Sequence, residues 1–154
     1  MKADTTLNAS AAREYLTIVV DDQKFGIPVL QIQDVLREQK VTRIPLASPE
    51  VAGSLNLRGR IVTAIDVRRR LGVQPRKGAR NMSVVVEYNQ ELYSLIIDRV
   101  GDVLKLDEGQ VEKNPGTLEA KWRDISNGVC QLEDELLVIM DVPRLLDSIV
   151  AHSK

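Results

Sequence analysis

The sequence predicts a mainly β fold in which two small β-barrels share a hydrophobic core, with short helices and one C-terminal helix. Short β-rich runs alternate with turn residues along the chain, and this succession of runs occurs twice. Each copy has only about 55–70 residues and would be marginally stable alone. Closed sheets remove exposed strand edges, and a shared interface supplies the apolar burial that each copy lacks.

The domain organisation follows from this duplication. Residues 1–13 are small and polar without periodicity, which predicts a flexible N-terminal tail. A single domain is expected over residues 14–150, with one subdomain at about 14–81 and a second at about 82–141. A C-terminal helix is predicted at about 142–151, because four apolar residues lie on one helical face: Leu145, Leu146, Ile149 and Val150.

The first copy opens with a β-hairpin. Residues 15–20 are rich in β-branched side chains, residues 21–24 favour a turn, and residues 25–27 form a second extended run. Apolar residues then recur every three or four positions over 29–36, which favours a helical turn. A further strand is predicted at 41–44.

Two short helices are predicted in the rest of the first copy. Ser48 has the character of an N-cap, because a proline and a glutamate follow it. Residues 61–65 are extended again. Asp66 then caps a helical turn that ends at Gly72.

The second copy repeats these elements in order. Residues 83–87 and 92–97 form a second hairpin around a turn at 88–91. Two local matches strengthen the correspondence, namely residues 34–36 with residues 102–104 and residues 65–69 with residues 140–144. Two copies of one β-rich module are therefore expected.

Charge and hydropathy exclude several classes of protein. The 21 basic and 22 acidic residues give a formal charge of −1, so general polyanion binding is not expected. Apolar runs are far shorter than the roughly 18–20 residues that span a bilayer, so no direct membrane insertion is expected. The N-terminal residues contain no apolar signal core, which favours a cytoplasmic protein.

Residues that could support catalysis or cofactor binding are scarce. His152 is the only histidine and lies near the C-terminus, and Cys130 is the only cysteine. One residue of each type cannot form a usual transition-metal site, and Cys130 is expected to be buried. No glycine spacing fits a P-loop or a dinucleotide fold. We therefore expect no enzymatic activity, no metal and no cofactor.

One basic stretch leaves two interpretations open. Its six cations lie between residues 68 and 80: Arg68, Arg69, Arg70, Arg76, Lys77 and Arg80. They could contact an acidic partner or RNA, or they could form a solvated helix and loop. RNA-binding surfaces usually add stacking aromatic residues, and the stretch has none. Nucleic acid is therefore not expected as a partner.

A series of motifs resembles the CheW-like family of chemotaxis coupling proteins. The first copy matches at residues 25–29, 32–36, 53–59 and 65–68, with the Asn-Leu-Arg-Gly motif at 56–59 as its most recognisable feature. The similarity continues through residues 95–100, 126–129 and 139–142 and covers about residues 14–150. Each motif is weak alone, but their order and spacing together are specific.

This resemblance implies a fold and a function. The fold would be two intertwined, five-stranded SH3-like barrels around a shared core. The function would be that of a non-enzymatic adaptor, which couples the cytoplasmic tip of methyl-accepting chemoreceptors to the regulatory domain of the histidine kinase CheA in membrane-associated arrays. A non-flagellar chemosensory pathway and a small β-barrel nucleic-acid module are the alternatives.

The resemblance also implies site residues. A receptor-binding groove between the barrels would use Ile32, Val35, Arg58, Leu95, Ile97 and Val100, with Asp34 on its rim. An amphipathic receptor helix would need such an apolar groove, and an arginine beside it could bind a carboxylate. Each aliphatic residue could instead be core, and Arg58 could be a turn residue paired with an acid. The kinase would contact Gly53, Ser54, Leu106 and Val111.

Overall fold

The computed structural model describes residues 12–152, with side chains described from 13 to 147 and at Ile149. The strands of this part of the chain are β1 (Ala12–Val20), β2 (Gln23–Pro28), β3 (Ile32–Arg37), β4 (Val51–Leu57), β5 (Arg60–Asp66), β6 (Met82–Tyr88), β7 (Glu91–Ile97), β8 (Arg99–Asp107), β9 (Ser126–Gln131) and β10 (Leu136–Met140). The α-helices are α1 (Val67–Arg70), α2 (Ala120–Arg123) and α3 (Val142–His152). Single 3-10 turns lie at Val29–Gln31 and Glu108–Gln110.

The strands form two five-stranded sheets that exchange strands between the two sequence copies. Sheet A has the order β8-β1-β2-β10-β9, and sheet B has the order β3-β6-β7-β5-β4. Replacing each strand by its counterpart in the other copy converts one order into the other. The mainly β fold with two five-stranded sheets is confirmed, but a boundary at residue 81 does not separate the sheets, because each takes two strands from one copy and three from the other.

Both predicted hairpins are present, and their turns share one backbone geometry. Asp21 and Asp22 have φ values of 54° and 64°, and Asn89 and Gln90 have values of 53° and 66°. Two successive left-handed residues match the right-handed twist of paired strands, and aspartate and asparagine tolerate this conformation. Local turn chemistry therefore fixes the register of β1 with β2 and of β6 with β7.

Three local predictions are wrong. Residues 32–37 form a strand, since the helical spacing yields only one 3-10 turn. No helix starts at Ser48; its carbonyl accepts a hydrogen bond from the Val51 N–H at 3.0 Å, and β4 begins at once. Residues 41–44 make only an isolated bridge, between Thr42 and Ser54. Pairing with distant strands overrides weak local preferences in these segments.

The two chain ends meet the predictions in part. Ala12 and Arg13 belong to β1 and pair with β8, so the predicted tail is too long by two residues. Its other residues lie outside the described part of the chain, as does the side chain of His152. The C-terminal helix is present over Val142–His152. None of the described helices is long and apolar enough to span a membrane.

The apolar side chains form one large shared core and two smaller barrel interiors. The shared core combines residues of both sheets, such as Ile18 and Leu95, with Leu145 and Leu146 of α3. Sheet A encloses a smaller cluster around Tyr15 and Leu137, and sheet B encloses one around Val62 and Val85. Many strands therefore bury both faces, which explains their near-continuous apolar runs.

Cys130 lies inside the sheet A barrel and is 2% exposed. Burial raises the pKa of its thiol, and the negative charge of Glu112 adds to this effect. The expectation of a buried cysteine is confirmed.

Two glycines hold equivalent positions in the two sheets. Gly53 and Gly128 have φ values of 153° and 143°, which L-residues rarely adopt. A Cβ atom at Gly53 would lie 2.4 Å from the Thr42 carbonyl oxygen, and one at Gly128 would lie 2.7 Å from that of Glu112. Both glycines let a preceding loop pair closely with an edge strand.

Candidate protein-interaction site

The Asn-Leu-Arg-Gly motif forms the tight turn between β4 and β5. The Asn56 side-chain oxygen accepts a hydrogen bond from the Gly59 N–H at 2.9 Å. Arg58 and Gly59 both have left-handed backbone conformations, with φ values of 50° and 85°. The asparagine stabilises the turn, and the glycine allows its second left-handed residue. Arg58 is thereby presented on the surface of sheet B.

Arg58 reaches from this turn to β3 on the opposite edge of sheet B. Its Nη2 atom lies 2.8 Å from Asp34 Oδ2, and the Asp34 side chain is 23% exposed whereas that of Arg58 is 74% exposed. The hydrogen bond with Arg58 and the Val35 N–H that donates to Oδ1 at 2.8 Å lower the pKa of Asp34. The carboxylate therefore stays ionised at neutral pH.

Apolar residues of β3 and β8 lie beside the shared core. Ile32 and Val35 are opposite Val86 and Val84 of β6, whose side chains belong to that core. Val35 keeps 38% of its surface exposed, and Ile32 is half-buried. Val100 is also half-buried and packs against the same core. Accessible apolar surface at the predicted receptor site is therefore supplied by these three residues.

Two predicted groove residues lie deeper than expected. Leu95 and Ile97 are 0% and 1% exposed and belong to the shared core. They are therefore not accessible to a partner in this conformation. The run of β7 is apolar because both of its faces are covered, and such a run does not reveal which residues remain accessible.

Two of the four predicted kinase-contact residues are also buried. Gly53 is buried against Thr42, and Ser54 exchanges two backbone hydrogen bonds of 2.8 Å with the same residue. Leu106 is 5% exposed inside the sheet A barrel, and Val111 is half-buried beside it. Ser54 and Val111 keep some accessible surface, whereas Gly53 and Leu106 are buried.

Half-buried ion pairs involve two of the six cations of the basic stretch. Arg68 binds Asp98 with both ends of its guanidinium, at 2.8 Å for each of two nitrogen-oxygen pairs. Asp98 also accepts the Asp21 N–H at 2.9 Å, and Arg76 Nε lies 3.5 Å from its Oδ1 atom. This cluster connects the β1–β2 turn, α1 and the junction between β7 and β8. The sequence contains no local signal for it, because Arg68 and Asp98 are 30 residues apart.

Electrostatic effects stabilise this cluster in its ionised form. Burial alone would raise the pKa of Asp98, but hydrogen bonds from Arg68 and Asp21 and the charges of Arg68 and Arg76 outweigh it and lower the pKa. The hydrogen bond with Asp98 raises the pKa of Arg68 despite burial. Two cations of the basic stretch are therefore half-buried and paired with Asp98, which weakens the case for a nucleic-acid surface.

Exposed aliphatic side chains were not identified from the sequence. Leu30 and Leu46 are fully exposed, and Ile61 and Val103 are 69% and 52% exposed. Single exposed apolar residues are common on folded proteins and need no functional explanation. A leucine in a turn carries no distinguishing pattern in the sequence.

Comparisons with known proteins agree with this architecture. A family model described as a CheW-like domain matches residues 14–150. The chemotaxis protein CheW of Klebsiella aerogenes is 29% identical over 140 residues, covering 90% of this chain and 84% of that protein. CheW of Bacillus subtilis is 27% identical over 144 residues and is matched over 92% of both chains.

A solved structure gives independent support for the fold. The scaffolding protein TtCheW from Thermoanaerobacter tengcongensis superposes with a TM-score of 0.78 at 23% identity, covering 88% of this chain and 92% of that one. The family model spans nearly all described residues of both sheets. The chain therefore belongs to the CheW-like family of non-enzymatic chemotaxis adaptors.

Proposed function

We propose that this protein couples the cytoplasmic tip of chemoreceptors to the regulatory domain of the histidine kinase CheA in membrane-associated arrays. The observation that carries the proposal is the match of the family model over residues 14–150. The Asp34–Arg58 pair beside exposed apolar residues of β3 agrees with a protein-binding edge.

The receptor contact is proposed at this edge. An amphipathic helix of the receptor would cover Ile32, Val35 and Val100, which offer accessible or half-buried apolar surface. Arg58 is largely exposed and keeps free guanidinium donors beyond its contact with Asp34. It can therefore bind a receptor carboxylate or carbonyl group while Asp34 fixes its direction.

The kinase contact is proposed on loops attached to the ends of the barrels, near Ser54 and Val111. Both residues adjoin loops that pair with an edge strand, at Thr42 with Ser54 and at Glu112 with Val129. The adaptor would bind receptor and kinase at once and transmit changes between them through the shared core. No chemical step is required of the adaptor.

Reconstitution with purified partners tests the proposal. Kinase activity of CheA is measured with a cognate receptor fragment in the presence and absence of this protein, and activation should require it. Arg58→Ala and Val35→Asp should weaken receptor binding about tenfold or more, because each removes a central contact of the edge.

Folding and charge controls accompany these variants. Arg60→Ala removes an exposed arginine two residues from Arg58 that forms no ion pair with any described residue, and it should bind receptor normally. Circular dichroism should show that all variants are folded. If Arg58→Ala and Val35→Asp are both folded and bind the receptor normally, the receptor site lies elsewhere.

A further inference from the structure

The loop between α1 and β6 carries three of the six cations of the basic stretch, and internal hydrogen bonds fix its conformation. Arg76 Nη2 donates to the Arg80 carbonyl at 3.0 Å and to the Asp98 carbonyl at 3.2 Å. Gly78 has a φ value of 73°, which lets the loop turn back toward β6. Arg80 is thereby presented to solvent on an ordered loop, and such a loop loses less conformational entropy on binding.

A cavity of about 420 Å³ lies where this loop meets the end of β3. It is lined by residues from the end of β3 and from the start of β6, namely Arg37, Glu38, Arg80, Asn81 and Met82. Met82 is half-buried and packs against the shared core, so the lining includes apolar as well as charged surface. The basic loop therefore forms one wall of a concave site.

The lining of the cavity is positively charged. Two arginines against one glutamate give it a net charge of +1. Arg37 and Arg80 are exposed, and neither guanidinium makes an ion pair or hydrogen bond with any residue that the structure describes. Glu38 is held by the backbone of Asn81, because its Oε1 atom accepts the Asn81 N–H at 2.9 Å and its own N–H donates to the Asn81 carbonyl at 3.1 Å. Both arginines are therefore available to a carboxylate of a partner.

The cavity continues the apolar edge of β3. Val35 is opposite Val84, and Arg37 is opposite Met82, in the pairing of β3 with β6. Val84 belongs to the shared core and Met82 packs against it, so Val35 and Arg37 lie on the same face of sheet B. Two residues along a strand span about 7 Å, slightly more than the roughly 5.4 Å of one helical turn. A helix that covers Val35 therefore brings its next turn to the cavity.

We propose that this cavity binds an acidic side chain on the amphipathic helix that covers the β3 edge, about one turn beyond the residue that contacts Val35. The assignment rests on the proposed function, which places a receptor helix on this edge. Arg37 and Arg80 bind the carboxylate, and Met82 packs against its aliphatic stem. The basic end of the edge thus selects receptors that carry an acid at this position, because other receptors leave the two cations without a partner.

Calorimetric titration of the full chain with a cognate receptor fragment tests this assignment. The double variant Arg37→Glu/Arg80→Glu should bind about tenfold or more weakly, because like charges then face the receptor carboxylate. Its affinity should also depend less on salt than that of wild type. The melting temperature should stay within about 2 °C of wild type, since both side chains are exposed.

A matched charge reversal controls for nonspecific electrostatics. Arg43 and Arg69 are also exposed but do not line this cavity. The double variant Arg43→Glu/Arg69→Glu changes the net charge by the same amount and should bind the receptor fragment within about twofold of wild type. Acidic residues of the receptor fragment are then changed to lysine one at a time. One of these changes should weaken binding to wild type and restore binding to Arg37→Glu/Arg80→Glu.

Each possible failure has a distinct meaning. If wild type binds and Val35→Asp weakens binding, but Arg37→Glu/Arg80→Glu binds normally or no more weakly than the matched control, this assignment alone is wrong. A gel shift with single-stranded RNA that is lost in Arg37→Glu/Arg80→Glu and kept in the control would assign the cavity to nucleic acid instead. Absence of receptor binding by wild type would overturn the proposed function together with this assignment.

Discussion

Replacing Asp98 by asparagine should destabilise the protein, because the carboxylate connects three segments of both sheets. The Asp98 and Arg68 side chains are only 5% and 13% exposed, and two nitrogen-oxygen contacts of 2.8 Å join them. Removing one partner of a buried ion pair costs about 3–5 kcal/mol. Asparagine retains one acceptor oxygen, which places Asp98→Asn near the lower end, at about 3 kcal/mol. The melting temperature should then fall by about 6–12 °C.

The fluorescence of Trp122 provides the assay. It is the only tryptophan of the chain, is 5% exposed, and packs edge-on against Phe25 in the shared core with ring centroids 5.4 Å apart. Urea titration monitored at Trp122 therefore reports loss of the core that both sheets build. Asp102→Asn is the matched control, since Asp102 is exposed and has no ion-pair partner among the described residues.

Asp98→Asn and its control should differ clearly in their free energies of unfolding. Asp102→Asn should change the free energy of unfolding by no more than about 0.5 kcal/mol. Asp98→Asn combined with Arg68→Met should be less destabilising than the sum of the single variants, because the second change removes the charge that the first leaves unpaired. If Asp98→Asn unfolds at the same urea concentration as wild type, the cluster does not hold the segments together.

Three further predictions follow from the same structure. The free energy of unfolding should decrease as the pH falls below about 4, since the pKa of Asp98 is lowered by folding and its contribution is lost when it is protonated; Asp98→Asn should weaken this dependence in acid titrations followed by fluorescence. Gly128→Ala should cost about 2–4 kcal/mol in urea titrations because its Cβ would lie 2.7 Å from a carbonyl oxygen, whereas Gly109→Ala, with open space around it, should change little. Cys130 should react with a thiol reagent only at the rate of unfolding, because its thiol is buried and its pKa is raised; rapid reaction of the native protein would contradict its placement.

The local part of the fold could be predicted from the sequence because turn chemistry is local. The aspartate pair at 21–22 and the asparagine at position 89 favour left-handed residues, and both hairpins follow from them. The exchange of strands could not be derived from the residues in this way. The repeat indicates that the copies are alike, but β10 pairs with β2 across more than 100 residues, and no local pattern encodes that pairing.

Some residues of the candidate site could also be predicted from local sequence, and others could not. Arg58 and Asp34 could be selected because a turn motif and a resemblance identify them, and the structure joins them in one ion pair. Accessibility could not be predicted for Leu95 and Ile97, since the sheet B strand that carries them is covered on both faces. The cluster around Asp98 depends on contacts between segments far apart in the chain and has no sequence signature.

The two halves of the molecule share a fold but not a charge pattern, and this difference can make binding one-sided. Asp34 on edge strand β3 corresponds to Asp102 on edge strand β8. The turn between β4 and β5 supplies Arg58 to Asp34, whereas the corresponding turn between β9 and β10 contains the acidic residues 133–135. Asp102 consequently lacks an arginine partner from that turn, and Glu135 of the turn instead pairs with Lys24 at 2.6 Å. Duplication thus provides two similar edges, and we expect a ligand helix that carries carboxylates to bind the edge that presents Arg58.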